Sequence, residues 1–115
     1  MPSAVAESWI PSEPDVMDIE GRLDSGTAPI VEEDVLLCIQ SGARRMVLDC
    51  GSLFYISGAG LRTILTLARA MQKAGGSFAV CGLQPHIQEM FAGCGFEAFI
   101  TVYRSRSDAL AALAR

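Results

Sequence analysis

Leu48-Asp49-Cys50-Gly51-Ser52-Leu53-Phe54-Tyr55-Ile56-Ser57-Gly58-Ala59-Gly60-Leu61-Arg62 is the stretch on which the reading of this chain turns. Met46, Val47 and Leu48 form an apolar strand that runs into a short loop. At Ser57-Gly58-Ala59-Gly60 the chain turns into a long amphipathic helix. A polar, glycine-rich turn at a helix N-terminus leaves backbone N–H groups unpaired where the helix dipole is positive. Such a turn can receive an anion, carry a phosphate or offer a flat contact surface to a partner.

Working outward, the helix predicted over residues 58–74 has the clearest face in the chain. Leu61, Ile64, Leu65, Ala68 and Met71 point inward, and Arg62, Thr66, Arg69 and Lys73 point out. Gly75-Gly76 stops it, and residues 77–81 follow as a buried strand. Upstream, residues 44–50 are apolar on consecutive positions, as in a strand covered on both faces. Before them, residues 30–41 form a helix with Val31, Val35, Cys38 and Ile39 on one face, widened by Ile30 and by Leu36 or Leu37. Thr27 can cap it, Pro29 suits its first turn and Gly42 ends it. Residues 4–10 and 15–20 read as an antiparallel hairpin turning at Pro11-Ser12-Glu13-Pro14, with residues 21–29 a loop. Downstream come a helix over 85–92 with Ile87, Met90 and Phe91, a break at Gly93-Cys94-Gly95, and a short strand over 99–102. A serine-capped helix over 107–114, with Asp108 in its first turn, closes the chain. The order β-β-α-β-α-β-α-β-α predicts an α/β fold with an N-terminal hairpin and, through right-handed crossovers, a mostly parallel central sheet.

At 115 residues the chain suits one domain over 1–115, long enough for a single core and too short for two. Half its residues are hydrophobic and 19% charged, which is globular composition rather than disorder. A formal charge of −4 argues against nucleic acid, whose phosphates demand a basic patch. Met1-Pro2-Ser3-Ala4-Val5-Ala6-Glu7 has neither the basic nor the apolar region of a secretory signal, and no apolar run approaches the roughly eighteen residues of a membrane span. A cytoplasmic protein without membrane insertion is expected. Cys38, Cys50, Cys81 and Cys94 show no C-x-x-C and no metal-ligand spacing, so they read as reduced thiols used as small hydrophobes. His86 is the one imidazole and follows Pro85 at a helix start, which leaves little for a metal site or a nucleophile pair. No metal and no cofactor are expected.

Gly58-Ala59-Gly60-Leu61-Arg62-Thr63 satisfies two glycines of a dinucleotide fingerprint and has Thr where the third belongs. The next strand ends Cys81-Gly82-Leu83-Gln84, without a carboxylate to hold a ribose. No G-K-S/T and no G-x-S-x-G occurs, and Asp24 and Asp49 lack a neighbouring acid. Asp49 suits local backbone hydrogen bonding better than acid–base work. The residues make no positive case for an enzyme, and a recognition surface remains. Ser57 reads first as the N-cap of the long helix. Two glycines in a first turn weaken a helix by roughly 1 kcal/mol each relative to alanine. That penalty points to close approach by a neighbouring loop or a partner chain. Arg62, Arg69 and Lys73 make a basic stripe that is either a plain solvated face or a steering patch for an acidic partner.

In combination these residues resemble the STAS domain, the fold of bacterial anti-sigma-factor antagonists, over nearly the whole chain. Gly21-Arg22-Leu23-Asp24 with Thr27-Ala28-Pro29 is similar to that family's loop into its first helix, and Arg45-Met46-Val47-Leu48-Asp49 to its central strand. Tyr55-Ile56-Ser57-Gly58-Ala59-Gly60-Leu61-Arg62 resembles its signature turn. Residues 76–83 and the helix carrying Phe91 resemble the later strand and helix.

The resemblance implies a regulator that binds an anti-sigma factor, a histidine-kinase-like ATPase that is also a serine kinase, and thereby releases a sigma factor. The kinase phosphorylates the antagonist at the helix N-terminus and a serine phosphatase reverses it. A phosphate there suits the helix dipole of the free protein, whereas at a packed interface its charge of about −1.5 to −2 must be desolvated. Partner contacts are then expected at Asp24, Ser57, Gly58, Ala59, Gly60, Arg62, Thr66 and Arg69. The chain departs from the family where the switch sits, because the phosphoserine position falls on Gly58, which has no hydroxyl. Either the module is fixed in a dephospho-like state, which is the preferred reading, or Ser57 has taken over as acceptor, or the serine was replaced by design. Phosphoryl transfer depends on positioning, so a one-residue displacement weighs against Ser57. The alternative from another class is an unphosphorylated STAS subunit of a transporter ATPase or of a large signalling assembly.

Overall fold

The computed structural model describes residues 14–114. The expected strand over 4–10, and with it the hairpin, lies outside the described residues. Four strands, β1 (Asp15–Leu23), β2 (Arg45–Ile56), β3 (Ser77–Cys81) and β4 (Thr101–Tyr103), form one sheet in the order β1-β2-β3-β4 with every neighbour parallel. The intervening helices are α1 (Ala28–Gln40), α2 (Gly58–Lys73), α3 (Pro85–Gly93) and α4 (Arg106–Leu113). A single 3₁₀ turn, Phe96–Ala98, precedes β4.

The central strands carry apolar residues on both faces because both faces are covered. Met46, Leu48 and Cys50 of β2 join Ile64, Leu67 and Met71 of α2, Val35 and Ile39 of α1, and Ile87 and Phe91 of α3 in the larger core. Val47 of β2 and Ala79 and Cys81 of β3 face the other way, where Ala109 and Leu113 of α4 cover them. Phe91 meets Phe96 edge-on, with ring centroids 5.4 Å apart, and so fixes the 3₁₀ turn against α3.

Several boundaries differ from the sequence reading. The expected short loop after Cys50 is strand: β2 continues to Ile56, and β1 continues through Gly21 to Leu23 beside it. Both carry the irregularities that hid them. The β1–β2 register shifts between Asp18 and Glu20 and again between Gly21 and Arg22, and Gly21 has a φ of 75°. A bulged ladder interrupts the period-two pattern by which a strand is recognised. The last strand starts at Thr101 rather than Phe99, whose side chain is exposed, because the 3₁₀ turn claims the preceding residues. On α1 the buried residues are Ala28, Val35 and Ile39; of the alternatives Leu36 or Leu37 it is Leu36 that packs against the core, while Leu37 and the expected Ile30 are 53% and 61% exposed.

Candidate partner-binding site

The extended parallel ladder brings the two loops of interest together. Leu23 pairs with Ile56 at the ends of β1 and β2, and the Leu23 carbonyl accepts the Ser57 N–H at 2.9 Å. The loop opening at Asp24 and the turn at residues 57–60 therefore leave the same edge of the sheet side by side.

Ser57 is the N-cap that the sequence indicated. Its backbone is extended, its Oγ accepts the Gly60 N–H at 3.2 Å and its carbonyl accepts the Leu61 N–H at 2.9 Å. The N–H groups of Gly58 and Ala59 have no acceptor within the helix. The two glycines differ. A Cβ on Gly60 would stand 2.3 Å from the Leu23 carbonyl oxygen and 2.8 Å from Ile56 Cγ1, so the close approach there is made by the chain's own β1. A Cβ on Gly58 would meet only the Arg62 guanidinium, at 3.7 Å. Gly58 is exposed, Ala59 half-buried and Gly60 buried.

Asp24 organises the neighbouring loop. Its carboxylate accepts the N–H groups of Gly26 at 3.0 Å and Thr27 at 3.2 Å, and the Arg22 Nε at 3.1 Å. The Arg22 guanidinium and these N–H groups hold the Asp24 carboxyl below the usual carboxylate range. Thr27 donates its hydroxyl to the Arg22 carbonyl at 2.9 Å and accepts the Asp24 N–H at 3.0 Å, so it ties the loop together rather than capping α1 through its side chain. Arg22 also lies over the Tyr55 ring, 4.3 Å from its centroid, a cation–π contact that links the loop to β2. Sequence reading missed this pair because residues 22 and 55 meet only through the ladder.

Arg62 and Thr66 are exposed on the side of α2 that faces α1 and line the groove between the two helices. Arg69 is exposed on α2 but does not line that groove, and it stands eleven residues, about 16 Å along the helix, beyond Gly58. Of the eight expected contact residues, Ala59, Arg62 and Thr66 line this groove, Ser57, Gly58 and Asp24 lie at the adjoining turn and loop, Gly60 is buried beneath them, and Arg69 stands apart.

A second polar cluster sits under α4. Asp49 Oδ1 accepts the Gly51 N–H at 2.9 Å, as its strand-end position suggested. Its Oδ2 accepts Arg106 Nε at 2.8 Å, while another Arg106 nitrogen binds Asp18. Burial pushes the Asp49 carboxyl up, but Arg106 and the Gly51 N–H outweigh it and hold the group below its usual value. His86 Nε2 lies 2.9 Å from the Phe54 carbonyl, joining the start of α3 to the outer half of β2. Among the described residues no cluster of three or more His, Cys, Asp or Glu side chains could hold a metal ion. Among them, too, no helix is long and apolar enough to cross a membrane.

A family model for the STAS domain matches residues 10–109. Over 94 residues the chain is 38% identical to BtrV of Bordetella bronchiseptica, which bears the provisional name anti-sigma factor antagonist, covering 82% of this chain and 81% of BtrV. The fold is shared with solved structures, among them these two. A sulfate transporter family protein from Wolinella succinogenes superimposes with a TM-score of 0.78 at 19% identity, over 98% of this chain and 94% of that one. The anti-sigma factor antagonist SpoIIAA, a Bacillus protein, in its unphosphorylated form gives 0.74 at 15% identity, over 87% of each chain. At such identities these two likenesses speak for the fold alone.

Proposed function

The chain belongs to the STAS domain family, and on that premise we propose that it is an anti-sigma factor antagonist. It binds a serine-kinase-type anti-sigma factor through the turn and helix start at residues 57–62 and the adjoining Asp24 loop. The naming of BtrV, at 38% identity, supports the general role. The observation that carries the finer reading is the contrast between Gly60, wedged against Leu23, and Gly58, open on the surface beside unpaired N–H groups. A serine fits at 58 without displacing anything, yet none is there. The module is therefore held in the binding-competent state, and its partner's kinase activity does not release it.

The test is a complex between the purified chain and a serine-kinase-type anti-sigma factor from the same genome, followed with ADP and with ATP. The native chain is expected to stay bound under ATP and to incorporate no phosphate. Gly58→Ser is expected to gain phosphate and to dissociate under ATP, because the added charge must be desolvated at the interface. Phosphate on the native chain that disappears in Ser57→Ala would move the acceptor to Ser57. Failure to bind any such ATPase would sink the reading.

A second reading starts from Gly58 itself, which offers no hydroxyl to accept a phosphate. A STAS subunit of a transporter ATPase, or of a large signalling assembly, needs no hydroxyl at 58. Co-purification with such an assembly in place of a soluble ATPase would favour it.

A further inference from the structure

Between α1 and α2 runs an open groove of about 830 Å³ whose two walls are each one face of a helix. Glu33, Leu37 and Gln40 on α1 and Ala59, Thr63 and Thr66 on α2 repeat at i, i+4, i+7. Apart from Arg62, the α2 wall is built of small side chains, with Thr63 buried at its floor, which lets a third rod of backbone approach to the 8–10 Å typical of packed helices. The α1 wall offers Leu37, an apolar side chain that is 53% exposed. The groove extends along α1 from Pro29 to Gln40, eleven residues or about 16 Å, which matches three helical turns.

Charge selects the occupant. Glu32 and Glu33 stand on the α1 side and Arg62 on the α2 side, and no ion pair joins Arg62 to either acid. Glu32 accepts the Thr63 hydroxyl at 3.5 Å across the groove floor, so exposed Glu33 is the stronger acidic contact on the α1 side and Arg62 the basic one on the α2 side. We propose that this groove receives an amphipathic helix of about three turns from a protein partner. The helix has an apolar stripe seated on Leu37, one flank of Lys or Arg along Glu32 and Glu33, and an opposite flank carrying a carboxylate beside Arg62. Such helix-in-groove docking reads its ligand through apolar anchors at i, i+3, i+4 and i+7. The inference deepens the proposed function by naming the element the partner contributes, and it rests on that reading only for the partner's identity.

The test needs no anti-sigma factor. A displayed library of fourteen-residue helical peptides, with a fixed leucine stripe and each flank drawn independently from Lys and Glu, is selected against the intact chain. Selection is expected to enrich peptides with one basic and one acidic flank, and these should bind at least fivefold tighter than peptides with two basic or two acidic flanks. A Glu32→Lys/Glu33→Lys variant, shown folded by circular dichroism, is expected to shift the preference to two acidic flanks. Leu37→Ser, a change at an exposed position, should weaken the selected peptide about tenfold. Equal affinity for all flank patterns, no enrichment, or a preference that survives the charge reversal would overturn the proposal. Light scattering that shows a dimer lost in Leu37→Ser would give the groove to a second copy of the chain and also overturn it. A failure of the function proposed above would appear separately, as a missing ATPase complex with peptide selection intact.

Discussion

Gly58 and Gly60 lie two positions apart in one turn and answer to opposite constraints. At Gly60 an added methyl group would meet the Leu23 carbonyl oxygen at 2.3 Å, and a backbone atom in a sheet cannot step aside. Gly60→Ala is expected to destabilise the fold by about 1–3 kcal/mol, as overpacking does. Gly58→Ala meets only a mobile guanidinium at 3.7 Å, and its effect should stay within about 1 kcal/mol of neutral, on the stabilising side. Ser57→Ala removes the acceptor for the Gly60 N–H and should cost about 1 kcal/mol. Denaturant titration of the three variants checks the order, and a Gly60→Ala protein as stable as the native chain would refute the wedge. Sequence alone showed that glycines in a first helical turn need a reason. It could not assign that reason to one of them, because Leu23 reaches Gly60 only once β1 is in register with β2.

At the scale of elements, α4 is held by charge as well as by packing. Arg106, at its first residue, binds Asp49 on β2 and Asp18 on β1 and so straps the terminal helix to the sheet. Asp49 is held below its usual carboxylate value, so the strap stabilises the fold where the unfolded chain would already be ionised, above about pH 4. That contribution fades as pH falls through the lowered folded value and the carboxylate takes up a proton. Arg106→Gln is accordingly expected to lower the melting temperature by a few degrees at pH 7. The gap to the native chain should narrow as pH falls below about 4, and thermal melts across the acid range would show it. A constant gap at every pH would mean that the residue acts through packing. Elements of this kind mark the limit of legibility. The α2 face and the β3 bounds were readable because their periodicity is local and unbroken. The outer halves of β1 and β2 were not, since Gly21 and Gly51-Ser52 break the alternation and only the partner across the ladder marks them as strand. Arg106 and Asp49 stand 57 residues apart, beyond any spacing rule.

Across the whole molecule the parallel sheet separates two unequal cores, and a buried cysteine reports on each. Cys50 lies in the large core beneath α1, α2 and α3, and Cys81 in the small one beneath α4. Burial pushes the Cys50 thiol up to about 12 and Cys81 to about 11, so neither offers a thiolate near neutral pH while the fold is closed. Cys94 is exposed at the end of α3 and Cys38 half-buried on α1. Alkylation at pH 8 followed by mass spectrometry should mark Cys94 first and Cys38 next. The two buried thiols then react only as their covers open. A short terminal helix over a small core opens at lower free energy than a core closed by three helices. Cys81 is therefore expected to react faster than Cys50, and Arg106→Gln should speed Cys81 while leaving Cys50 unchanged. Equal rates at the two thiols, moving together in the variant, would mean that α4 leaves only when the entire sheet comes apart. The groove between α1 and α2 sits on the large-core side, so separate rates would also mean that α4 can loosen without disturbing the partner-binding surface.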